Sequence, residues 1–457
     1  MINNQSVDKI TLIGGGLAGS LLAIYLAKRG IAVDIFERRP DMRQEEISAG
    51  RSINLALSTR GIHALSEVGL KEKIMKLALP MKGRMMHSIK GELSFHRYGK
   101  DEYEVINSIS RAELNQALMN EAEKYGATIH FNQRCTGMNF DTGEVFLRHE
   151  QNGADSTIQT RTVIGTDGSA SAIRLDMQKV GRFNFLQEYI EHGYKELAIP
   201  PGPNGKFLME KHALHIWPRR SFMLIALPNL DGSFTCTLFF PFDGELSFKS
   251  LNSEKAVLNF FQTQFPDAVP LMPTLREDFF TNPTGSLVTV KCQPWHVEEK
   301  ALLLGDAAHA IVPFFGQGMN CAFEDCTVLN ECLPQQGPNW RTVFEEFEKL
   351  RKVNTDAIAE MALENFIEMR DLVADPRFLL KKQIELALEE KYPHKFIPRY
   401  SMVSFHRLPY SVALARGKIQ DRILHHLCQS ISSVAELDWR LADQLIDQQL
   451  PDFSASL

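Results

Sequence analysis

The chain has 457 residues, of which 44% are apolar, and at roughly 150 residues per domain that length allows two or three domains with substantial cores. Lys and Arg number 50 against 56 Asp and Glu, a net charge of −6 spread along the chain with no long basic run. These figures exclude disordered and fibrous classes and argue against a nucleic-acid partner, which needs a basic face. No apolar run approaches the roughly 18 residues that span a bilayer. The opening MINNQSVDKI has no basic leader and cleavage site, so a soluble cytoplasmic protein is expected. Seven cysteines without a C-x-x-C pair or zinc spacing read as reduced packing residues, and no metal is expected.

Residues 9–39 read as strand (KITLI), Gly-rich turn (GGGLAG), amphipathic helix (SLLAIYLAKRG) and strand (IAVDIFE), a βαβ unit. Gly14, Gly16 and Gly19 form G-x-G-x-x-G directly after the first strand, the context in which the pattern binds a dinucleotide. The first glycine allows the tight turn, the second lets a pyrophosphate approach the backbone, and the third lets helix and strand pack closely. Glu37 ends the second strand where a carboxylate takes adenosine ribose hydroxyls, which favours FAD or NAD over NADP. No second G-x-G-x-x-G follows, which disfavours a flavoprotein with two dinucleotide domains.

Further on, 84–98 (RMMHSIKGELSFHRY) reads as a hairpin. With a three-residue loop at Lys90-Gly91-Glu92, Arg84 faces Tyr98, and an Arg fork beside a phenol is a good carboxylate receptor. The competing reading is an exposed strand pair with Arg lying over the ring. Several short alternating strands within 205–246 suggest a largely antiparallel second sheet. In 163–174 (VIGTDGSASAIR) an apolar strand runs into Asp167-Gly168, which could equally be a strand, turn and capped helix. In 301–325 a buried strand ends at Gly305-Asp306, and Pro313, Phe314 and Phe315 precede a helix beginning near Met319-Asn320. Asp306 can accept from a ribityl hydroxyl, and the backbone N–H groups from Gly318 to Asn320 suit negative charge on a reduced flavin ring. His309 has no nucleophile pattern or third partner beside it and reads as structural. From Trp340 the pattern turns helical; one apolar stripe, Ile358, Met361, Ala362 and Met369, is broken by Asn365, which needs a ligand or a backbone partner.

These three motifs, in this order, resemble the FAD-dependent aromatic hydroxylases with a single nucleotide-binding domain. The resemblance implies cofactor-binding roles for Gly14, Gly16, Leu17, Ala18, Gly19, Glu37, Arg38, Ala56, Arg111, Cys135, Asp167, Asp306, Gly318, Met319 and Asn320. A narrower resemblance, to the kynurenine 3-monooxygenase family, covers nearly the whole chain and rests on GRMMHS, HRYG, FFGQGMNCAFEDC, ENFIEMRD and PRYSMVSF. It implies that Arg84, Tyr98, Asn365 and Tyr400 hold the carboxylate of L-kynurenine, although Tyr400 by itself reads as a loop anchor; Met369 joins them as a substrate contact, and Pro313, Phe314 and Phe315 read either as a wall for the aromatic part of the substrate or as core packing. No residue is singled out as a catalytic acid or base, because the chemistry is centred on the flavin.

The implied fold is α/β: a Rossmann-like FAD domain (1–75, 100–180, 288–335), an inserted mainly antiparallel sheet domain for substrate (76–99, 181–287), and a helical C-terminal subdomain (336–457). The implied partners are FAD, with NADPH and O2 as co-substrates. Eukaryotic members of the family carry a C-terminal membrane anchor; the ending QQLPDFSASL has none, so a soluble bacterial type is expected. A homodimer is left open. The rival readings are a hydroxylase of another aromatic carboxylic acid and a non-catalytic flavin-binding protein.

Overall fold

The computed structural model describes residues 9–44, 54–334, 338–369, 376–429 and 431–453. The first eight residues and the last four, which bear on the expectations about a leader and an anchor, lie outside these, as do the last two of ENFIEMRD. The chain divides into two compact units, one of residues 1–78, 109–190 and 287–359, the other of 79–108, 191–286 and 360–457.

The first unit is built on a six-stranded sheet in the order His296–Val297, Ala301–Leu303, Thr162–Gly165, Lys9–Ile13, Ala32–Phe36, Thr128–His130. All pairs are parallel except the two-residue edge strand. Strands covered on both faces need apolar residues at successive positions, as KITLI supplies: four of its five residues are buried. The helix Leu17–Lys28, expected to be amphipathic, is instead buried from Gly19 through Leu26. Its neighbours are the sheet and the helices Arg111–Lys124 and Gly318–Cys332, and a helix enclosed on every side must be apolar all round. A separate three-stranded antiparallel sheet is made by Gln133–Asn139, Glu144–His149 and Asp155–Gln159.

The second unit carries most of a seven-stranded sheet in the order Thr284–Gln293, Asn184–Ile199, Phe234–Pro241, Met223–Pro228, Ala213–Pro218, Gly83–His87, Leu93–Arg97, with residues 287–293 and 184–190 of the first two strands counted in the first unit. It is largely antiparallel as expected, with one parallel pairing, Ala213–Pro218 against Gly83–His87. Phenylalanines 222, 234, 240, 260, 261 and 265 fill one core over this sheet, under the helix Glu254–Gln264. A smaller core of Ile384, Leu388, Phe396, Ile423 and Ile446 joins the helices Pro376–Lys391, Tyr410–Cys428 and Trp439–Gln449.

Candidate cofactor cradle and carboxylate clamp

The first unit gathers the three dinucleotide motifs at the ends of parallel strands. Gly14 has φ +107°, and a Cβ there would lie 2.5 Å from the Thr166 carbonyl oxygen; one on Gly19 would lie 2.0 Å from the Gly14 carbonyl oxygen. Both glycines are required by close approach. Gly16, which opens the helix carrying Leu17 and Ala18, is different: nothing lies within 4 Å of where its Cβ would stand. That gap is the room a pyrophosphate needs.

Glu37 is buried at the end of its strand, where Oε2 accepts from Gly15 N (2.7 Å) and Oε1 from Arg39 N (2.9 Å) and Nε (2.8 Å). Burial alone would raise its pKa; the Arg39 charge and these hydrogen bonds outweigh it and hold the carboxyl below its ordinary value. Each oxygen keeps acceptor capacity for a hydroxyl. Arg38 beside it is exposed. Arg111 is the exposed first residue of its helix, behind the Ser110 cap whose hydroxyl accepts from Glu113 N, the S-x-x-E signature of a helix start. Cys135 is buried, and burial pushes its thiol up to about 12, which removes it as a nucleophile.

Asp167 follows the strand Thr162–Gly165. Its Oδ2 accepts from Ala172 N at 2.7 Å, whereas Oδ1 is buried with no partner. Burial raises its pKa against the Ser171 hydroxyl and the N–H groups of Ala172 and Ile173. Arg174, on the following helix, donates to the carbonyls of Ser169 and Ala307 and so ties this loop to the Gly305-Asp306 loop. Asp306 itself is exposed. An open backbone at Gly16, an orphaned acceptor at Asp167 and an exposed carboxylate at Asp306 fit a bound FAD.

Of the third motif, Gly318 and Met319 are half-buried at the start of their helix. Asn320 is fully buried, and its side chain is used within the protein: Oδ1 accepts from Ser58 N (2.9 Å), and Nδ2 donates to the carbonyls of Ala56 (2.8 Å) and Gly316 (2.9 Å). It therefore shapes the cradle through Ala56, and contact with the cofactor is left to backbone. Pro313, Phe314 and Phe315 form a short 3-10 turn in the same unit, with both rings buried.

The clamp residues lie in the second unit. The hairpin register differs from the expected one: Arg84 pairs with His96, and Gly83 with Arg97. The loop is Ile89-Lys90-Gly91, one residue earlier, because Gly91 (φ +80°) takes the left-handed position that closes a three-residue turn. Tyr98 thus lies past the end of the ladder, its N–H bonded to the Lys82 carbonyl (3.2 Å). Arg84 nonetheless reaches it: the guanidinium carbon lies 5.4 Å from the Tyr98 ring centre and 4.7 Å from that of Tyr400, and the two rings stack at 5.7 Å. Tyr400 comes from the helix Arg399–Ser404, and Phe405 packs edge-on to it.

Arg84 Nε is buried without a partner, and among the described residues Arg84 forms no ion pair. Burial works against its charge, but the Tyr400 and Tyr98 phenols and the Glu368 carboxylate hold its pKa above the ordinary arginine value. Burial also pushes the Tyr98 phenol well up, so it remains a neutral donor. His96, opposite Arg84, is held below its ordinary value by burial and by the Arg84 charge. Asn365 and the rest of its stripe are buried, and Asn365 Nδ2 lies 3.4 Å from Met369 Sδ. Arg84, Tyr98 and Tyr400 are therefore brought together.

Sequence reasoning missed Glu368 and Lys382, which flank Arg84 in charge, with Lys382 Nζ 3.0 Å from Glu385 and 3.7 Å from Glu368. Nothing in local pattern marks them, since they lie on different helices. It also missed the partners of His309, Asp325 and Cys321, which follow it by 16 and 12 residues. All seven cysteines are free, as expected. Among the described residues no helix is long and apolar enough to cross a membrane.

The FAD binding domain family matches residues 8–187 and 285–336. The chain is 54% identical over 447 residues to kynurenine 3-monooxygenase of Myxococcus xanthus, covering 98% of this chain and 96% of that one. It is 46% identical over 456 residues to the enzyme of that name from Dictyostelium discoideum, covering 96% and 98%. In fold it is similar to a tetrameric form of 2-methyl-3-hydroxypyridine-5-carboxylic acid oxygenase, with a TM-score of 0.65 and 22% identity over 82% of this chain and 96% of that one. Identity at that level along almost the entire length, together with the matched FAD domain, makes this chain a member of the kynurenine 3-monooxygenase family of FAD-dependent monooxygenases.

Proposed function

We propose that this enzyme converts L-kynurenine, NADPH, a proton and O2 into 3-hydroxy-L-kynurenine, NADP+ and water. The observation that carries the substrate is Arg84, a guanidinium with a buried, unpartnered Nε between two tyrosine rings and no carboxylate of the described residues within ion-pair distance. Such a group lacks an anion, and an amino-acid carboxylate supplies one in bidentate geometry. Tyr98, kept neutral by burial, donates a second hydrogen bond, and Tyr400 and Asn365 complete the clamp. Pro313, Phe314, Phe315 and Met369 are assigned to the aromatic half of the substrate. Bound FAD supplies the redox chemistry, taking electrons from NADPH and activating O2. The residues assigned to hold it are Gly14, Gly16, Leu17, Ala18, Gly19, Glu37, Arg38, Ala56, Arg111, Cys135, Asp167, Asp306, Gly318, Met319 and Asn320.

The substrate's aniline nitrogen activates the ring carbon next to it, so no strong protein base is required. The clamp's task is then orientation, fixing which ring carbon is presented, and exclusion of water. The reaction is assigned to the cytoplasm, where seven free cysteines remain reduced.

The test is NADPH oxidation by the purified holoenzyme with and without L-kynurenine, with chromatography of the products. Strong stimulation with matching 3-hydroxykynurenine is expected; stimulation that yields only hydrogen peroxide would assign the true substrate to another aromatic acid.

A further inference from the structure

The Gly305-Asp306 loop is held by a carboxylate that the reaction chemistry does not use. Asp325, fully buried on the helix Gly318–Cys332, accepts through Oδ2 from both ends of residues 305–309: from Gly305 N at 3.1 Å and from His309 Nε2 at 2.6 Å. Its other oxygen accepts from Arg351 Nε at 2.6 Å, and Arg351 also pairs with Glu324 at 2.8 Å. The Cys321 side chain also lies close to the His309 ring, and the Trp295 ring lies 5.1 Å away. His309, Cys321 and Asp325 resemble a cation-binding group by type, but the Arg351 guanidinium occupies Asp325 Oδ1 and lies 3.3 Å from Cys321 Sγ, and against burial the Asp325 charge pushes the His309 ring up to about 10, so this carboxylate already has two cationic partners.

Gly305 needs such a restraint. Its backbone, at φ +64° and ψ −143°, lies in a region that only glycine enters readily and that persists where the surroundings over-determine it. The Asp325 bond to Gly305 N holds one end of the segment and the bond to His309 holds the other, with Asp306 between them exposed to solvent.

We propose that His309 is a positioning residue for FAD: it fixes Asp325 so that one carboxylate pins both ends of the 305–309 loop and presents Asp306 to the ribityl chain. The proposal rests on this loop holding FAD. Removing the ring leaves Asp325 Oδ2 one donor short and free to turn toward Arg351, which releases Gly305.

The test measures FAD dissociation from the full-length holoenzyme, by fluorescence of released FAD on dilution, beside the melting temperature. For His309→Leu, FAD affinity should fall about tenfold or more, the loss of one buried hydrogen bond to a charged group. His309→Gln, whose amide reaches Asp325, should bind FAD within about threefold of the wild type, and His309→Asn, one methylene shorter, should resemble Leu. Should the Leu variant fail to fold, the Gln and Asn pair decides. Equal FAD affinity in those two variants, or wild-type affinity in a folded Leu variant, overturns the positioning role. Wild-type FAD affinity in Asp306→Ala would instead overturn the cofactor assignment of the loop.

Discussion

Gly16 and Gly19 stand three residues apart and should answer oppositely to the same added methyl group. A Cβ on Gly19 would press to 2.0 Å from a carbonyl oxygen and 2.6 Å from the Thr166 hydroxyl, with backbone on one side that cannot yield. Gly19→Ala should therefore lose about 2–3 kcal/mol of stability in urea titration, as overpacked sites do. A Cβ on Gly16 meets nothing, so Gly16→Ala should unfold at the wild-type urea concentration. If pyrophosphate occupies that space, its FAD affinity should nonetheless fall about tenfold, read by fluorescence of released FAD. Full affinity in Gly16→Ala would move the pyrophosphate elsewhere. The spacing of these glycines was legible in the sequence, because the motif is local and each glycine has its own steric reason. The arrangement around Asn320 was not: its three partners lie on residues 56, 58 and 316, and only the fold brings the first two to it.

Elements are joined by such side chains. Asn320 ties the strand Leu55–Leu57 and the start of the next helix to Gly318–Cys332, so Asn320→Ala would leave one buried N–H and two carbonyls with lost bonds. A destabilisation of about 2–4 kcal/mol is expected from the urea midpoint; a change below 0.5 kcal/mol would mean that other groups or water replace it. The helix Pro376–Lys391 carries a different kind of strain. Glu389 is buried with neither oxygen partnered, and its pKa is raised to about 7, first by burial and then by Glu104, with Glu385 and Asp101 adding and Lys100 opposing. The folded state thus binds this proton more tightly than the unfolded chain. Its stabilising contribution is complete below the ordinary value near 4.5 and is lost as pH rises through about 7. Glu389→Gln should accordingly be more stable than wild type at pH 8 by about 1–2 kcal/mol, a figure discounted for solvent screening, with the gain vanishing near pH 4.5. A gain independent of pH would show that the carboxyl does not titrate in this range.

At the scale of the whole molecule, the cradle residues and Arg84 belong to different compact units, each assembled from three separate stretches of chain. Arg84→Ala should therefore weaken L-kynurenine by about 2–5 kcal/mol, seen as a raised KM, because it removes one partner of a desolvated charge pair. FAD retention should stay within about twofold of wild type. Parallel loss of FAD would mean that the substitution disturbs more than the clamp.

What the sequence determined by itself is the set of features written in short windows: the βαβ unit and its glycines, the buried strand before Gly305, and the apolar stripe that Asn365 interrupts. Each follows from nearest-neighbour sterics or from apolar periodicity, which distant residues do not alter. The hairpin at residues 84–97 marks the edge of that reach, since the strands were evident but the register turned on which loop position gave Gly91 its positive φ. Only the tertiary structure decided that Tyr98 reaches Arg84 from beyond the hairpin ladder and that Tyr400 stacks on it beside the same guanidinium, that Glu368 and Lys382 lie close enough to influence its charge, and that Asp325 holds both ends of the Gly305–His309 segment. Those contacts join residues 14 to 316 positions apart, and no local preference encodes which distant side chain will satisfy a buried charge.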